Sequence, residues 1–310
     1  TQDIAIDAYR IDIIKLHEKD KLAAASAMAT AGWWTGFGGL GSIPFFIADL
    51  PNWEWSEIYY VLAAIMAIMS VIVLIAEEPV TDRLERQQIA AKAYAKWQAI
   101  EGVALTSSQK VANWLLVTLV EPFRDFFNRN GFKLAMSILL FIFLFKMGEA
   151  FLGRMSIVFY KEIGFTNTEI GSLSKLLNWW VTIVFAVIGG MVNIRYGIYR
   201  GLMVSGIAMA TSNLMFALMA SVGPDKMLFV ATIFVDGFTA AWGSVALVAF
   251  ISLLCNQAFS ASQYALMASL GVLGRTFMAS SSGFLVDWMD GNWAAFFILT
   301  ALMVIPSLLF

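Results

Sequence analysis

One cysteine, one histidine and six prolines among 310 residues leave this chain little of the usual chemistry of a soluble enzyme. Cys255 alone excludes a disulfide framework and a cysteine-rich metal cluster, and no metal or cofactor motif is present. His17 lies in the charged run 15–21 and reads as solvated, so a histidine-based catalytic site has no material. Charge is scarce as well, at 14% of residues against about 25% in an ordinary soluble domain. Lys and Arg (20) nearly balance Asp and Glu (22), which excludes a basic surface for nucleic acid. What remains is 60% hydrophobic, with 25 Phe, 11 Trp and 16 Met. Such a surface suits lipid better than water.

Crossing the hydrocarbon core takes about 20 mostly apolar residues in a helix. Eight stretches meet that requirement: 22–48, 58–76, 134–159, 168–193, 201–220, 227–254, 261–286 and 293–310. Residues 1–14 read as the second half of a ninth, so further helices are expected ahead of Thr1. Period-2 alternation is absent from these stretches, which argues against barrel strands. Turn chemistry marks the boundaries at Asp49-Leu-Pro-Asn52, Gly164-Phe-Thr-Asn167, Gly223-Pro-Asp225 and Asp290-Gly-Asn292. The one long connection, 77–133, starts polar and ends in an apolar run interrupted by Pro122, which reads as an interfacial segment.

Cations accumulate in alternate loops: residues 15–21, 77–133 and 195–200 hold 13 of the 20 Lys and Arg, whereas the opposite loops hold Lys161 and Lys226. The positive-inside rule therefore places the long loop in the cytoplasm, with Trp53, Trp55, Tyr59, Tyr60, Trp288 and Trp293 forming an aromatic belt at the other face. An internal repeat gives the architecture. Met28-Ala-x-x-Gly32 recurs as Met267-Ala-x-x-Gly271, Asp49 as Asp287, and Asn52-Trp53 as Asn292-Trp293, at offsets of 238 to 240. Parallel six-helix halves of this kind characterise the major facilitator fold. The basic loop Gly190-Met-Val-Asn-Ile-Arg195-Tyr-Gly197-Ile-Tyr-Arg200 resembles that fold's cytoplasmic loop pattern, although Ile194 stands where an Asp is usual. The expected organisation is all-α and polytopic, with two pseudo-symmetric six-helix halves. Residues 1–76 would hold half of helix 4 with helices 5 and 6, the end of an incomplete N-terminal bundle. Residues 77–133 would form a cytoplasmic central loop, and 134–310 a complete C-terminal bundle of helices 7 to 12.

An ionised side chain at the bilayer centre costs about 2.5–3.5 kcal/mol on insertion scales, so it needs a partner or a wet cavity. Asp3, Asp7 and Arg10, beside Gln2, fall on one helical face. Lys146 and Glu149 sit three apart in mid-span with Arg154 beyond, while Lys175 and Asp236 occupy the next helices. Gln2, Asp3, Asp7, Arg10, Lys146, Glu149, Lys175 and Asp236 read as a substrate and proton pathway, and Arg275, with the Asp7–Arg10 pair, as helix-locking ion pairs. Carboxylates at Asp3, Glu149 and Asp236 are candidates to load and release protons as a cavity opens and closes. Cations there would suit an anionic solute. Trp33-Trp34 and Trp179-Trp180 offer either flat faces for sugar rings or lipid-facing or packing bulk. The Gly32-x-x-x-Gly36 spacing permits close helix approach and needs no substrate.

Thr1-Gln-Asp-Ile-Ala-Ile-Asp7-Ala-Tyr-Arg10, Pro122-Phe-Arg-Asp-Phe-Phe127 and Phe145-Lys-Met-Gly-Glu-Ala-Phe151 follow in order, with Gly164-Phe165, Leu254-Cys-Asn256 and Phe259-Ser-Ala-Ser-Gln-Tyr-Ala265 through Gly274-Arg275. Taken together they resemble the AmpG-type muropeptide permeases, a bacterial branch of the major facilitator superfamily. That resemblance implies proton-driven import of anhydro-muropeptides, disaccharides with or without a short peptide, across the bacterial inner membrane by a monomer. It also implies that the family's Gln-Asp motif falls on Gln2-Asp3, its Lys-x-Gly-acidic motif on Lys146 and Glu149, and an acidic residue of helix 10 on Asp236. A carrier of another anionic solute, such as acetyl-coenzyme A, stays open. So does a non-transporting sensor or scaffold working through the central loop. A membrane-embedded acyl or lipid transferase lacks a nucleophile with an activating base.

Overall fold

The computed structural model describes residues 2–14, 18–36, 40, 47, 53–76, 88, 111, 115–166 and 169–309, and the side chains of Gln2, Asp3 and Lys175 lie outside what it describes. Regular structure among the described residues is helical throughout. In chain order it comprises α1 (Gln2–Asp12), α2 (Lys19–Trp34), α3 (Trp55–Ile75), α4 (Glu121–Asn130), α5 (Phe132–Phe145), α6 (Met147–Glu162), α7 (Asn178–Tyr196), α8 (Ile198–Val222), α9 (Lys226–Leu254), α10 (Ser260–Ala279), α11 (Ser282–Trp288), α12 (Trp293–Leu302) and α13 (Ile305–Leu308). Five described segments are long and apolar enough to cross a membrane: Ser56–Ile75, Phe132–Glu162, Ser172–Tyr196, Ile198–Val222 and Lys226–Leu254. The chain is an all-α polytopic membrane protein of the major facilitator type.

The solvent this surface expects is evident on α3, where Val73, Leu74 and Ile75 are exposed. A contiguous apolar face of this size is costly in water and ordinary in lipid. Inside the bundle, aromatic rings fill the space. Phe159, Tyr160, Phe216, Phe229, Phe296 and Phe297 are fully buried, and Phe159 meets Phe297 edge-on at 4.7 Å. These rings join α6, α8, α9 and α12. A second cluster around Phe141, Ile142, Phe145 and Phe250 joins α5 to α9 and takes in Phe126 of α4. Pro122 opens α4 instead of interrupting it, because the first helical turn has no use for the missing N–H.

Three apparent single spans are locally broken. The run 134–159 divides at Lys146, whose backbone (φ −96°, ψ 10°) leaves the helical region between α5 and α6. The run 261–286 divides at Ser280–Ser281, where both hydroxyls donate to carbonyls of the preceding turn (2.6 and 2.8 Å). The run 168–193 enters through a wide π turn at Ile170–Leu177. At Ser280–Ser281 the hydroxyls supply bonds to backbone carbonyls beside the break, as a lipid medium favours.

Gly148 shows what the break at Lys146 requires. A Cβ there would meet the Thr300 carbonyl and, at 2.9 Å, the Val304 methyl, so the start of α6 lies directly on the chain from α12 to α13. Gly148→Val should cost about 1–3 kcal/mol by overpacking, read as a lower Tm of the detergent-solubilised full-length protein. An unchanged Tm would show that α6 does not depend on that approach.

At the end of the bundle away from α4, Lys226 meets Glu169 at 2.6 Å, while the Thr166 N–H and hydroxyl also donate to Glu169 (3.0 and 2.9 Å). The Lys226 hydrogen bond, then those from Thr166, hold the Glu169 carboxyl down at about 2 from its ordinary 4.5. A depressed carboxylate contributes stability above its unfolded pKa and loses it as pH falls through the folded value. The clasp should therefore be whole above pH 4.5 and released toward pH 2. Glu169→Gln should flatten the decline of Tm across that window; an identical acid profile would show that the clasp carries no stability.

Candidate functional site

A cavity of 680 Å³ lies between the first two helices and the remainder of the bundle. Asp7 of α1 and Ala29, Thr30, Trp33 and Trp34 of α2 form one wall. The other is built from α6 (Glu149, Arg154, Tyr160), α7 (Asn178), α9 (Asp236, Ser244) and α10 (Tyr264, Arg275). The packing explains this enclosure, because α2 crosses α7 and α9 while α1 lies on α10.

Lys146 is the anchor of the second wall. It is buried, and its ammonium donates to the Glu149 carboxylate, to Ser244 Oγ (2.9 Å) and to the Ala240 carbonyl (3.4 Å). All three donors are thereby used, and α6 is bound to α9 across the helix break. Asp236, one turn along α9, behaves differently. Its carboxylate accepts from Ser212 (3.2 Å), and Thr239 lies 3.1 Å from the same hydroxyl, but no cation comes within ion-pair distance among the described residues. A lone carboxylate facing a cavity responds to whatever water or cation enters it.

Toward the α4 end the cavity terminates at Asp7 and Tyr264. Behind them Arg10 is buried, bonded to Asp7 (3.1 Å) and Ser26 (2.8 Å), with its guanidinium 5.3 Å from the centre of the Tyr264 ring. Gln257 adds a bond to the Ile14 carbonyl (2.9 Å). These contacts tie α1 to both α2 and the segment leading into α10.

Of the residues expected from sequence, the structure brings Asp7, Arg10, Lys146, Glu149, Asp236, Trp33 and Trp34 to the cavity or directly behind its lining. Gln2, Asp3 and Lys175 lie outside the described side chains. Trp33 and Trp34 meet edge-on at 5.2 Å on the cavity wall. Trp179 and Trp180 are not among the lining residues: Trp179 donates its indole N–H to the Trp34 carbonyl (3.1 Å), fastening α7 to α2, and Trp180 is exposed. The expected helix-locking ion pair at Arg275 is absent among the described residues; Arg275 opens onto the cavity instead. Tyr160, Asn178, Ser244 and Tyr264 were not legible as site residues, since a neutral polar side chain in a span costs too little to stand out. Asn178 carries one further signal, a buried Oδ1 without a hydrogen-bond partner.

No protein-family profile matches the chain. Among curated proteins it is similar to AmpG 4 of Rickettsia conorii, with 31% identity over 308 residues, 99% of this chain and 67% of that protein. It is similar to the anhydromuropeptide permease of Escherichia coli K12, with 29% identity over the whole chain and 56% of the permease. AmpG 3 of Rickettsia prowazekii matches at 26% over 97% of the chain and 66% of its own length. The chain thus spans between about half and two thirds of these relatives.

Proposed function

The chain belongs to the AmpG family of transporters, and from that membership we propose that it is part of a proton-coupled carrier importing anhydro-muropeptides from periplasm to cytoplasm. In this reading the protein sits in the bacterial inner membrane as a monomer, with the loop between α3 and α4 on the cytoplasmic side. The observation that carries the proposal is the cavity between α1–α2 and the later helices, where Glu149, bonded to Lys146, shares one space with Asp236, which has no ion pair among the described residues. Alternating access needs a solute site at the junction of two bundles and charged groups whose state changes as that site wets and dries. Asp236 supplies a carboxylate not already committed to a cation, and Lys146–Glu149 stands one turn away to sense it. In this reading the contacts of Arg10, Asp7, Ser26 and Gln257 serve as the cytoplasmic gate.

Reconstituting the full-length protein in liposomes tests this reading. Labelled N-acetylglucosaminyl-anhydro-N-acetylmuramic acid should enter faster under an inside-alkaline gradient, with the acceleration lost on adding a protonophore. Excess unlabelled acetyl-coenzyme A should not compete. Competition by the coenzyme A ester would move the substrate assignment, and uptake indifferent to the gradient would remove the proton.

A further inference from the structure

The cavity's cations carry more information than its carboxylates. Glu149 is neutralised by Lys146 and Asp7 by Arg10, and Asp236 is bonded to a hydroxyl. Arg154 and Arg275 remain, both lining the cavity and neither with an ion pair among the described residues. Their levels follow from the packing of α10–α11 on α5–α6. A Cβ at Gly271 would contact Ile142, one at Gly274 would contact Phe143, and one at Gly283 would lie 3.7 Å from the Met155 methyl, so the two chains run parallel in register. Arg275 thus lies close to the level of Lys146, while Arg154 stands about 12 Å further along α6 at about 1.5 Å per residue.

Two exposed guanidiniums on one cavity, with no ion pair among the described residues, are free to take an anion. We propose that Arg154 and Arg275 are the carboxylate-reading residues of the carrier, taking successive acidic groups of an anionic solute, a proposal that rests on the transport reading above. Guanidinium suits the task because its planar fork binds carboxylate through two parallel hydrogen bonds, which an ammonium cannot do. Asn178 lines the same cavity, with its Oδ1 turned onto Gly237 of α9, so the groups offered to a solute here are the two guanidiniums. Lys146 is unsuited to the same role, because its three protons already serve Glu149, Ser244 and Ala240.

The test compares uptake of N-acetylglucosaminyl-anhydro-N-acetylmuramic acid with uptake of its neutral carboxamide, by the full-length protein in liposomes. The unmodified carrier should favour the acid at least tenfold by half-saturating concentration. Arg154→Gln and Arg275→Gln in combination should reduce that preference below threefold. Arg275→Lys, which keeps the charge, should fall between if the paired hydrogen bonds matter. Retention of the full preference in the Gln double variant and in Arg275→Lys would overturn the assignment and show that other groups neutralise the two arginines. Uptake of neither form by the unmodified protein would instead overturn the transport reading, and this assignment with it.

Discussion

Lys146→Gln is expected to lower uptake by the full-length protein at least a hundredfold and to lower its Tm as well. The substitution deletes an ammonium that satisfies three acceptors on two helices and leaves the Glu149 carboxylate without its cation. Breaking a fully buried pair from one side costs about 3–5 kcal/mol. Here the penalty is smaller, because 27% of the Glu149 side chain stays open and can be screened. Adding Glu149→Gln removes the stranded charge, so the double variant should regain most of the lost Tm while uptake stays low. That separation distinguishes a working pair from a structural one. A double variant that transports at the original rate would mean that the pair only holds α6 against α9.

Asp236→Asn should abolish uphill accumulation, by fiftyfold or more, yet retain exchange of labelled for unlabelled solute at equal concentrations on both sides. Asparagine has the same shape and can still accept from Ser212, so the cavity and its packing against α8 persist. Only the capacity to exchange a proton is lost. Counterflow without accumulation is the behaviour of a carrier that still alternates but no longer couples. Accumulation equal to the unmodified protein would remove Asp236 from the proton path and shift attention to Asp3. The parallel Asp3→Asn variant decides that case.

The intramembrane charges were the most legible part of the site. Burying an ionised group in lipid is so expensive that its presence already announces a partner or a cavity. Glu149 and Asp236 line one cavity, and Lys146 is bonded to Glu149 behind that lining. Arg275 did not follow its expected role, since whether a cation finds a carboxylate depends on which helix lies beside it. Three residues of spacing are enough to recognise Asp7–Arg10, whereas the partners of Lys146 on α9 lie 94 and 98 residues away. The Trp179-Trp180 pair failed as a cavity feature for a similar reason. An indole N–H at that position finds the Trp34 carbonyl only once α2 crosses α7.

Sequence by itself determined the medium, the helical class and most span boundaries, because these follow from the local balance between apolar length and the cost of an unsatisfied backbone. Tertiary structure alone decided where the spans break, which charges cancel and which remain unpaired. Lys146 interrupts its helix two residues before Gly148, where the chain rests on Thr300, and no described carboxylate makes an ion pair with Arg154 or Arg275. Those outcomes depend on contacts between residues far apart in the chain, and electrostatic energy in a low-dielectric interior is set by such distances and not by composition.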